Sequence, residues 1–331
     1  MNRKESLRGQ RSETHIAIRD VGRSLHEAKT LGEFLHVMYD ACVVQRNLYR
    51  KCGIFHREIN DYNILIASDS QRFDTQQDGG YQVKYLNQVL NPNEPACMII
   101  DFGNNIELGL DVSVPRVLQE RRGLPKFIAR SIFKRGVLHP TTYMPDGVTM
   151  PRLYNRSLEI YATVDNTEYE QFNQSVDQNP PHSSDPPEPN FAYRLFHDAE
   201  STFWVIALFL AHAAPKGYQI ETEWNRNFRI FVTGTSLDWI EIHEWDAREV
   251  FSPDRKFWQD ILHPSFSTVA PMLSQMHQYV YLEWAYRPEL NPEHVHEALM
   301  RLLLIEIVRI QDNDADIEFA TGTRALPVPK P

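Results

Sequence analysis

The stretch His56-Arg57-Glu58-Ile59-Asn60-Asp61-Tyr62-Asn63-Ile64-Leu65 decides the fold of this 331-residue chain. It is a polar loop between two short apolar segments, residues 53–56 and 63–66, which have the composition of β-strands. A third such segment, residues 97–101, runs into Asp101-Phe102-Gly103. The pattern predicts short β-hairpins that carry the polar loop.

A helix is predicted immediately before these strands. Thr30 is followed three residues later by Glu33, which is the spacing of a helix N-terminal capping box. Apolar residues then recur at steps of three and four to about Lys51. Gly53 is placed to end the helix, because glycine adopts the left-handed conformation of a helix C-terminus without strain.

Further helices are predicted in the second half of the chain. Asp198 is expected to cap a helix whose residues 203–211 are apolar without a break, so this helix should be buried on every side. Residues 269–286 and 292–310 also have helical patterns, the second with Asn291 as its N-cap. The sequence therefore predicts an α+β fold that is mainly helical.

Three side chains near the predicted hairpins carry the candidate chemistry. Asn63 and Asp101 supply an amide oxygen and a carboxylate, which are ligands that Mg²⁺ accepts on ATP phosphates. Glu58 lies five residues before Asn63 and could orient an attacking hydroxyl group. Phosphoryl transfer depends mainly on positioning and charge neutralisation, and these residue types in this order fit that reaction.

The same residues carry a resemblance to a known family. Protein kinases have H-R-D-x-x-x-x-N on the catalytic loop and D-F-G at the start of the activation segment. The chain matches this spacing and resembles the protein kinase superfamily, more closely its fungal-type protein kinase family. The motifs that carry the closer likeness are Gly53-Ile54-Phe55-His56-Arg57, Gly123-Leu124-Pro125-Lys126-Phe127-Ile128-Ala129-Arg130 and Phe196-His197-Asp198-Ala199-Glu200-Ser201-Thr202-Phe203-Trp204.

The resemblance implies a protein-kinase-like C-lobe over residues 30–310, with ATP and Mg²⁺ as cofactors. By the resemblance, Glu58 takes the place of the catalytic Asp, and Asn63 and Asp101 hold the metal. Asp198 would bond the catalytic-loop backbone, and His56 and Phe102 would belong to the hydrophobic spine beside Gly103. Arg57 would pair with a phosphate on the activation segment, where Ser113 is the one hydroxyl side chain between residues 104 and 126.

Several positions depart from the kinase pattern. Glu58 is longer than Asp by one methylene group, and a misplacement of about one ångström can cost on the order of a hundredfold in rate. Leu124 replaces a Thr that would bond the catalytic carboxylate, and Ser131 replaces the Glu of the usual A-P-E ending, so the ion pair of that Glu is expected to be absent. These changes predict weakened catalysis.

The beginning of the chain departs from the pattern as well. The sequence contains no G-x-G-x-x-G loop, and about fifty residues before His56 cannot hold both a helix and an N-lobe sheet. We therefore expect the N-lobe to be absent and residues 1–29 to be an N-terminal arm or an N-lobe remnant. Residues 69–95 are expected to form a loop insertion, 176–190 a proline-rich loop and 311–331 a loose tail.

Composition limits the partners and the compartment. The formal net charge is −10 and the isoelectric point about 5.7, which disfavours nucleic-acid binding. No signal peptide or transmembrane segment is evident, and three cysteines fit a reducing compartment, so an intracellular location, cytoplasmic or nuclear, with no membrane association is expected. A C-lobe without its N-lobe would expose Ile54, Leu65 and Ile100, which predicts self-association or a covering protein partner.

Three functions remain open at this stage. The first is ATP- and Mg²⁺-dependent phosphoryl transfer to protein Ser or Thr, with Glu58 as the base. The second is a pseudokinase that keeps the fold and serves as an interaction or scaffold protein. The third is a small-molecule phosphotransferase with the same loop spacing, which the motif at residues 123–130 disfavours.

Overall fold

Thr30 begins the longest helix of the described chain. A computed structural model describes residues 22–67, 86, 97–103, 105–107, 122–138, 148–164, 166–173, 191–221, 223, 225–236, 246–251 and 254–324. Helix α1 (Leu31–Cys52) is capped where Thr30 Oγ1 accepts a hydrogen bond from the Glu33 amide at 3.1 Å. It ends at Gly53, whose φ of +63° is the left-handed conformation that glycine favours. The predicted helix is confirmed.

The remaining regular elements follow in chain order. The strands are β1 (Arg23–Ser24), β2 (Ile54–Phe55), β3 (Ile64–Ile66), β4 (Cys97–Ile99), β5 (Ile106–Glu107), β6 (Ala213–Pro215) and β7 (Phe319–Thr323). The helices after α1 are α2 (Arg130–Lys134), α3 (Asn155–Val164), α4 (Asn166–Asn173), α5 (Leu195–His212), α6 (Arg226–Gly234), α7 (Arg255–Ile261), α8 (Ala270–Tyr281) and α9 (His294–Asp312). The fold is mixed helix and sheet, mostly helical, as the sequence predicts.

The strands form small antiparallel sheets around the polar loop. Strand β3 lies between β1 and β4, with Ile64 opposite Ile99 and Leu65 opposite Ser24. Strands β2 and β5 pair separately. The polar loop from residue 56 to 63 therefore leaves one sheet and enters another, and its two ends are fixed by backbone pairing.

Helix α5 is the centre of the core. Its residues 203–207 are buried, and the helix packs against α1, α8 and α9. The expected start at Asp198 is wrong, because the helix begins at Leu195 and Arg194 occupies the N-cap position. Asp198 lies in the first turn and is 1% exposed, so its carboxylate is available to another part of the protein.

Two other helices are shorter than their sequence patterns. Helix α8 spans only 270–281 of the predicted 269–286, because short 3-10 turns flank it at both ends. Helix α9 begins at His294, and Asn291 instead begins the turn before it, with its side-chain oxygen accepting from the Glu293 amide at 2.9 Å. The pattern located both helices and placed their ends incorrectly.

The C-terminal segment is packed through residue 324, contrary to the expected looseness. Strand β7 pairs with β6 at the end of α5. Beyond it, Arg324 is 4% exposed and forms an ion pair with Glu221 at 2.6 Å. Residues 325–331 lie outside the described chain, as do 1–21, 176–190 and, apart from Leu86, 69–95.

The apolar surface expected around the hairpins is only partly open. Leu65 is 8% exposed because β1 lies against it, whereas Ile54 and Ile100 are half-buried. Self-association through this surface stays a prediction. Within the described ranges, no helix combines the length and apolar character needed to span a bilayer.

A buried ionic network joins α1 and α9. Glu297 accepts hydrogen bonds from Arg46 at 2.7 Å and from Arg301 at 2.6 Å, and all three side chains have 0% exposure. Tyr161 also donates its hydroxyl to Glu297 at 2.6 Å. Arg46 also pairs with Glu293 at 2.6 Å, so two carboxylates balance the two buried guanidinium groups, and Glu297 is the one that contacts both arginines.

Glu297→Gln is expected to destabilise the protein by about 3 kcal/mol, because it removes the charge between two buried arginines while keeping the side-chain shape. Urea unfolding measures the change. The matched control is Glu318→Gln, since Glu318 pairs with Lys216 where the two side chains are 59% and 71% exposed and an exposed pair is worth at most about 1 kcal/mol. Equal losses in the two variants would contradict the prediction.

Acidification is expected to destabilise the fold. Burial lowers the pKa of His197, His294 and His296 to about 3, whereas an unfolded histidine titrates near 6.5. The unfolded state therefore binds more protons between these values, and the free energy of unfolding falls as the pH drops below 6.5. Glu283 acts in the opposite sense, because burial raises its pKa to about 7.

The net loss between pH 7 and pH 5 is expected to be about 3 kcal/mol, since three histidines outweigh one carboxyl group. Urea midpoints at the two pH values measure it. His296→Gln is expected to reduce the loss by about 2 kcal/mol, and Glu283→Gln to increase it by a similar amount. A midpoint that does not fall between pH 7 and pH 5 would contradict the prediction.

Candidate functional site

The beginning of the polar loop is bound to the first turn of α5. Asp198 Oδ2 accepts a hydrogen bond from the His56 amide, and Oδ1 accepts one from the Arg57 amide, both at 2.9 Å. Burial raises the pKa of the Asp198 carboxyl, while these bonds lower it. The carboxylate fixes two consecutive peptide groups, and thereby the direction in which the next residue, Glu58, leaves the backbone.

Arg57 has an unusual backbone conformation at this point. Its φ is +68°, in the left-handed region that side chains other than glycine rarely adopt, and the residue is 3% exposed. Such a conformation persists only where surrounding contacts impose it. The hydrogen bonds that the His56 and Arg57 amides donate to Asp198 are contacts of this kind.

The end of the loop is held by two asparagines. Asn60 Oδ1 accepts from the amides of Tyr62 at 2.9 Å and Asn63 at 3.1 Å. Asn63 in turn donates its side-chain nitrogen to the Glu58 carbonyl at 2.9 Å. Because the nitrogen is engaged, the side-chain oxygen of Asn63 is the atom that a cation could use.

Asp101 lies next to Asn63 through a backbone contact. The Ile100 amide donates to the Asn63 carbonyl at 2.9 Å, and Asp101 follows with φ of +65° and an exposed side chain. Gly103 donates its amide to Asp101 Oδ1 at 3.3 Å. An amide oxygen and a carboxylate are hard ligands that suit Mg²⁺, so the donor set fits this ion.

The remaining predicted site residues cluster with these. His56 Nε2 lies 3.0 Å from the Ile100 carbonyl oxygen, and its ring meets the Phe102 ring edge-on at 4.9 Å. Glu58 is half-buried at the start of the loop. Ser113 lies outside the described residues. In the part of the chain that is described, no group of three or more His, Cys, Asp or Glu side chains could hold a metal ion.

The segment at residues 123–130 is anchored by arginines that sequence reasoning missed. Arg130 forms a buried ion pair with Glu200 of α5 at 2.7 Å and donates to the Val280 carbonyl. Arg248, which is itself paired with Asp246, donates to the Ile128 carbonyl at 2.7 Å. The ion pair of Arg130 is a different one from that of the Glu which Ser131 replaces, and it anchors the segment from the neighbouring position.

A cavity of about 430 Å³ opens beside the loop. Its polar end contains Asp61, which lies 3.1 Å from His26 Nε2 and 3.9 Å from Lys126 Nζ. Apolar residues of α5 and β7, among them Phe209 and Phe319, form its walls. The cavity therefore lies between the end of the polar loop, at Asp61 and Tyr62, and Lys126 of the segment at residues 123–130.

The comparisons with known proteins give one match. The sequence pattern of a family described as fungal protein kinase covers residues 1–210, which is more than half of the chain. No curated protein and no solved structure matches. The match includes the polar loop, Asp101-Phe102-Gly103, the segment at residues 123–130 and most of α5.

Gly123→Ala is expected to destabilise the protein by about 2 kcal/mol, because φ is +94° and a Cβ atom would lie 2.6 Å from Ile128 Cγ2. Urea unfolding measures the loss. Gly136→Ala is the control, since a Cβ atom there meets nothing within 4 Å, and it should cost less than about 0.5 kcal/mol. A Gly123→Ala variant as stable as the control would disprove the close contact between residue 123 and Ile128.

Proposed function

The chain belongs to the fungal protein kinase family, and we propose that it transfers the γ-phosphoryl group of ATP to a Ser or Thr hydroxyl of a protein, at a rate limited by Glu58. The observation that carries the proposal is the anchored polar loop. Asp198 binds the amides on one side of Glu58, and Asn63 binds the Glu58 carbonyl on the other. The reaction requires a well-positioned carboxylate and oxygen ligands for Mg²⁺, and a backbone held on both sides of residue 58 supports such positioning.

Glu58 would accept the proton of the attacking hydroxyl. The hydroxyl oxygen forms a bond to the γ-phosphorus as the bond from that phosphorus to the bridging oxygen of ADP breaks, and the proton passes to the carboxylate. The backbone at residue 58 is held on both sides, so the additional methylene group of Glu displaces only the carboxylate. This displacement is the reason to expect slow turnover.

Asn63 and Asp101 would hold Mg²⁺ on the ATP phosphates. The ion supplies charge neutralisation to the transferring phosphoryl group. Other contacts within the protein orient these two side chains. Asn63 is oriented by its bond to the Glu58 carbonyl, and Asp101 by the Gly103 amide and by the adjoining Ile100–Asn63 backbone bond. Arg57 would contact a phosphorylated activation segment, with Ser113 as the modified residue.

The cavity and the anchored segment support a protein substrate. Residues 123–130 are held by Arg130 and Arg248 so that Lys126 lines the cavity beside Asp61 and Tyr62 of the polar loop. A small-molecule phosphotransferase has no need of such a segment beside its catalytic carboxylate. Peptide side chains next to the phosphorylated residue would occupy this cavity.

A scaffold function without turnover is the second candidate. The observation that favours it is Glu58 itself, which stands at the position of the catalytic Asp. A pseudokinase of this kind would keep the anchored loop as part of the fold and would bind a protein partner on its exposed surfaces. The protein would then act inside the cell by forming a complex with this partner and not by transferring phosphate.

Glu58→Asp is expected to raise phosphoryl transfer by about tenfold or more, because it moves the carboxylate back by about one ångström along an unchanged backbone. The measurement is label transfer from γ-labelled ATP with Mg²⁺ to a library of Ser- and Thr-containing peptides. Glu58→Gln and Asp101→Ala should each lower the rate below that of the natural chain, since they remove the base and a metal ligand.

Glu159→Asp is the matched control, because it shortens an exposed glutamate of α3 by the same group and should leave the rate unchanged. A Glu58→Asp variant no faster than the natural chain would contradict the role of Glu58. Absence of transfer in the natural chain and in every variant would favour the scaffold function.

A further inference from the structure

Asp198 has a third hydrogen-bond partner, which lies outside the family motif that begins at residue 196. Tyr193 donates its hydroxyl to Asp198 Oδ1 at 2.6 Å. The same oxygen accepts the Arg57 amide, whereas Oδ2 accepts the His56 amide. Tyr193 is 5% exposed, so its hydroxyl would lose hydration without this bond. The phenol and the Arg57 amide therefore share one carboxylate oxygen.

The Tyr193 ring also contacts the loop and the residues beside it. The guanidinium carbon of Arg57 lies 5.4 Å from the ring centroid, within cation–π range. Phe55, at the end of β2, lies 5.9 Å from it between centroids, and His197 of α5 lies 4.9 Å from it. The ring thus stands between the strand that enters the loop and the helix that anchors it.

We propose that Tyr193 is a positioning residue for the polar loop. Its hydroxyl orients Asp198 toward the Arg57 amide, and its ring supports the Arg57 side chain. The consequence for catalysis rests on the proposed kinase function, whereas the positioning itself does not. Tyr193 acts through Asp198 and Arg57 and does not touch the reacting atoms.

The backbone of Arg57 explains why a second support is needed. A left-handed φ of +68° is unfavourable for arginine, and the residue can relax by rotating its peptide group away from Asp198. Rotation of that peptide group would also turn Glu58, the next residue. The Asp198 oxygen that the phenol holds cannot follow such a rotation, so the bond to the Arg57 amide would be lost. Tyr193 therefore opposes the rotation in two ways, through Asp198 at the Arg57 amide and through its ring at the Arg57 side chain.

Tyr193→Phe tests the hydroxyl alone, because the ring and its contacts with Phe55 and Arg57 remain. The matched control is Tyr161→Phe, which removes another 2.6 Å bond from a buried phenol to a carboxylate, that of Glu297, in the network between α1 and α9. The two variants lose the same type of interaction in different places. A general effect of losing a buried phenol bond should therefore be equal in both.

The first readout is hydrogen–deuterium exchange of the full chain, followed in peptides that cover residues 54–60. Tyr193→Phe is expected to speed exchange of the His56 and Arg57 amides by about tenfold, because their acceptor is less well fixed. Tyr161→Phe should leave these amides unchanged. Asp198→Asn serves as the positive control and should speed the same amides at least as much.

The second readout is steady-state kinetics of label transfer from ATP. Tyr193→Phe is expected to lower kcat by about tenfold and to leave the KM for ATP unchanged, since the loss concerns the orientation of Glu58. A purely structural role would lower the urea midpoint and leave kcat per folded molecule unaltered. Tyr161→Phe is expected to show that second behaviour.

The two readouts separate the two proposals. Unchanged exchange at His56 and Arg57 in Tyr193→Phe, or equal acceleration in Tyr161→Phe, overturns the positioning role. If the natural chain transfers no phosphate but Tyr193→Phe accelerates exchange selectively, the positioning role stands and the kinase function fails. Should Tyr193→Phe prove unstable, Phe55→Leu keeps the hydroxyl and removes one ring contact, and exchange of the Arg57 amide should then remain slow.

Discussion

The Asp198 carboxylate is the contact on which the geometry of the polar loop depends. It is buried in the first turn of α5, the helix around which α1, α8 and α9 pack, and it accepts the amides of His56 and Arg57. An ionised group in this position is costly unless donors surround it. The protein surrounds it with two amides and one phenol, so the conformation of the polar loop is tied to the helix at the centre of the core.

Buried arginines anchor the segment at residues 123–130, which lies beside the polar loop, in a similar way. Arg130 is bound to Glu200, two residues after Asp198 on α5, and Arg248 binds the Ile128 carbonyl. The polar loop and the segment at residues 123–130 are therefore both held by the first turns of one helix and by partners packed on it. A displacement of α5 would move both together, which keeps their relative position constant.

The sequence predicts those features whose signals are local. The ends of α1 are marked by Thr30 and Gly53, and the short strands by runs of β-branched and aliphatic residues. The candidate site residues were predicted from the spacing of a known motif, and the structure places His56, Asn63 and Phe102 next to Ile100 and Asp101, while their roles stay predictions. Asp198 was misplaced as a helix cap because Asp is favourable both at a cap and in the first turn. Its bonds to the loop amides, more than 140 residues away, were predicted from the family resemblance and not from any local pattern.

The pairing of Arg130 with Glu200 and of β7 with β6 could not be predicted for the same reason. The charges of the first pair are 70 residues apart, and β7 contains Ala320 and Gly322, which are residue types depleted in strands. Neither element has a local pattern that identifies its partner. Long-range pairing is set by packing on α5, which a single sequence does not display.

The backbone structure limits the consequences of having Glu58 in place of the Asp of the kinase pattern. Asp198 and Asn63 hold the peptide groups on both sides of residue 58, so the longer side chain cannot be accommodated by a shift of the loop. Its carboxylate must instead reach its position through one additional torsion, which costs conformational entropy when it is fixed. The anchoring contacts would therefore confine the effect of this residue to the rate of the proposed proton transfer, with the candidate metal ligands Asn63 and Asp101 left in place.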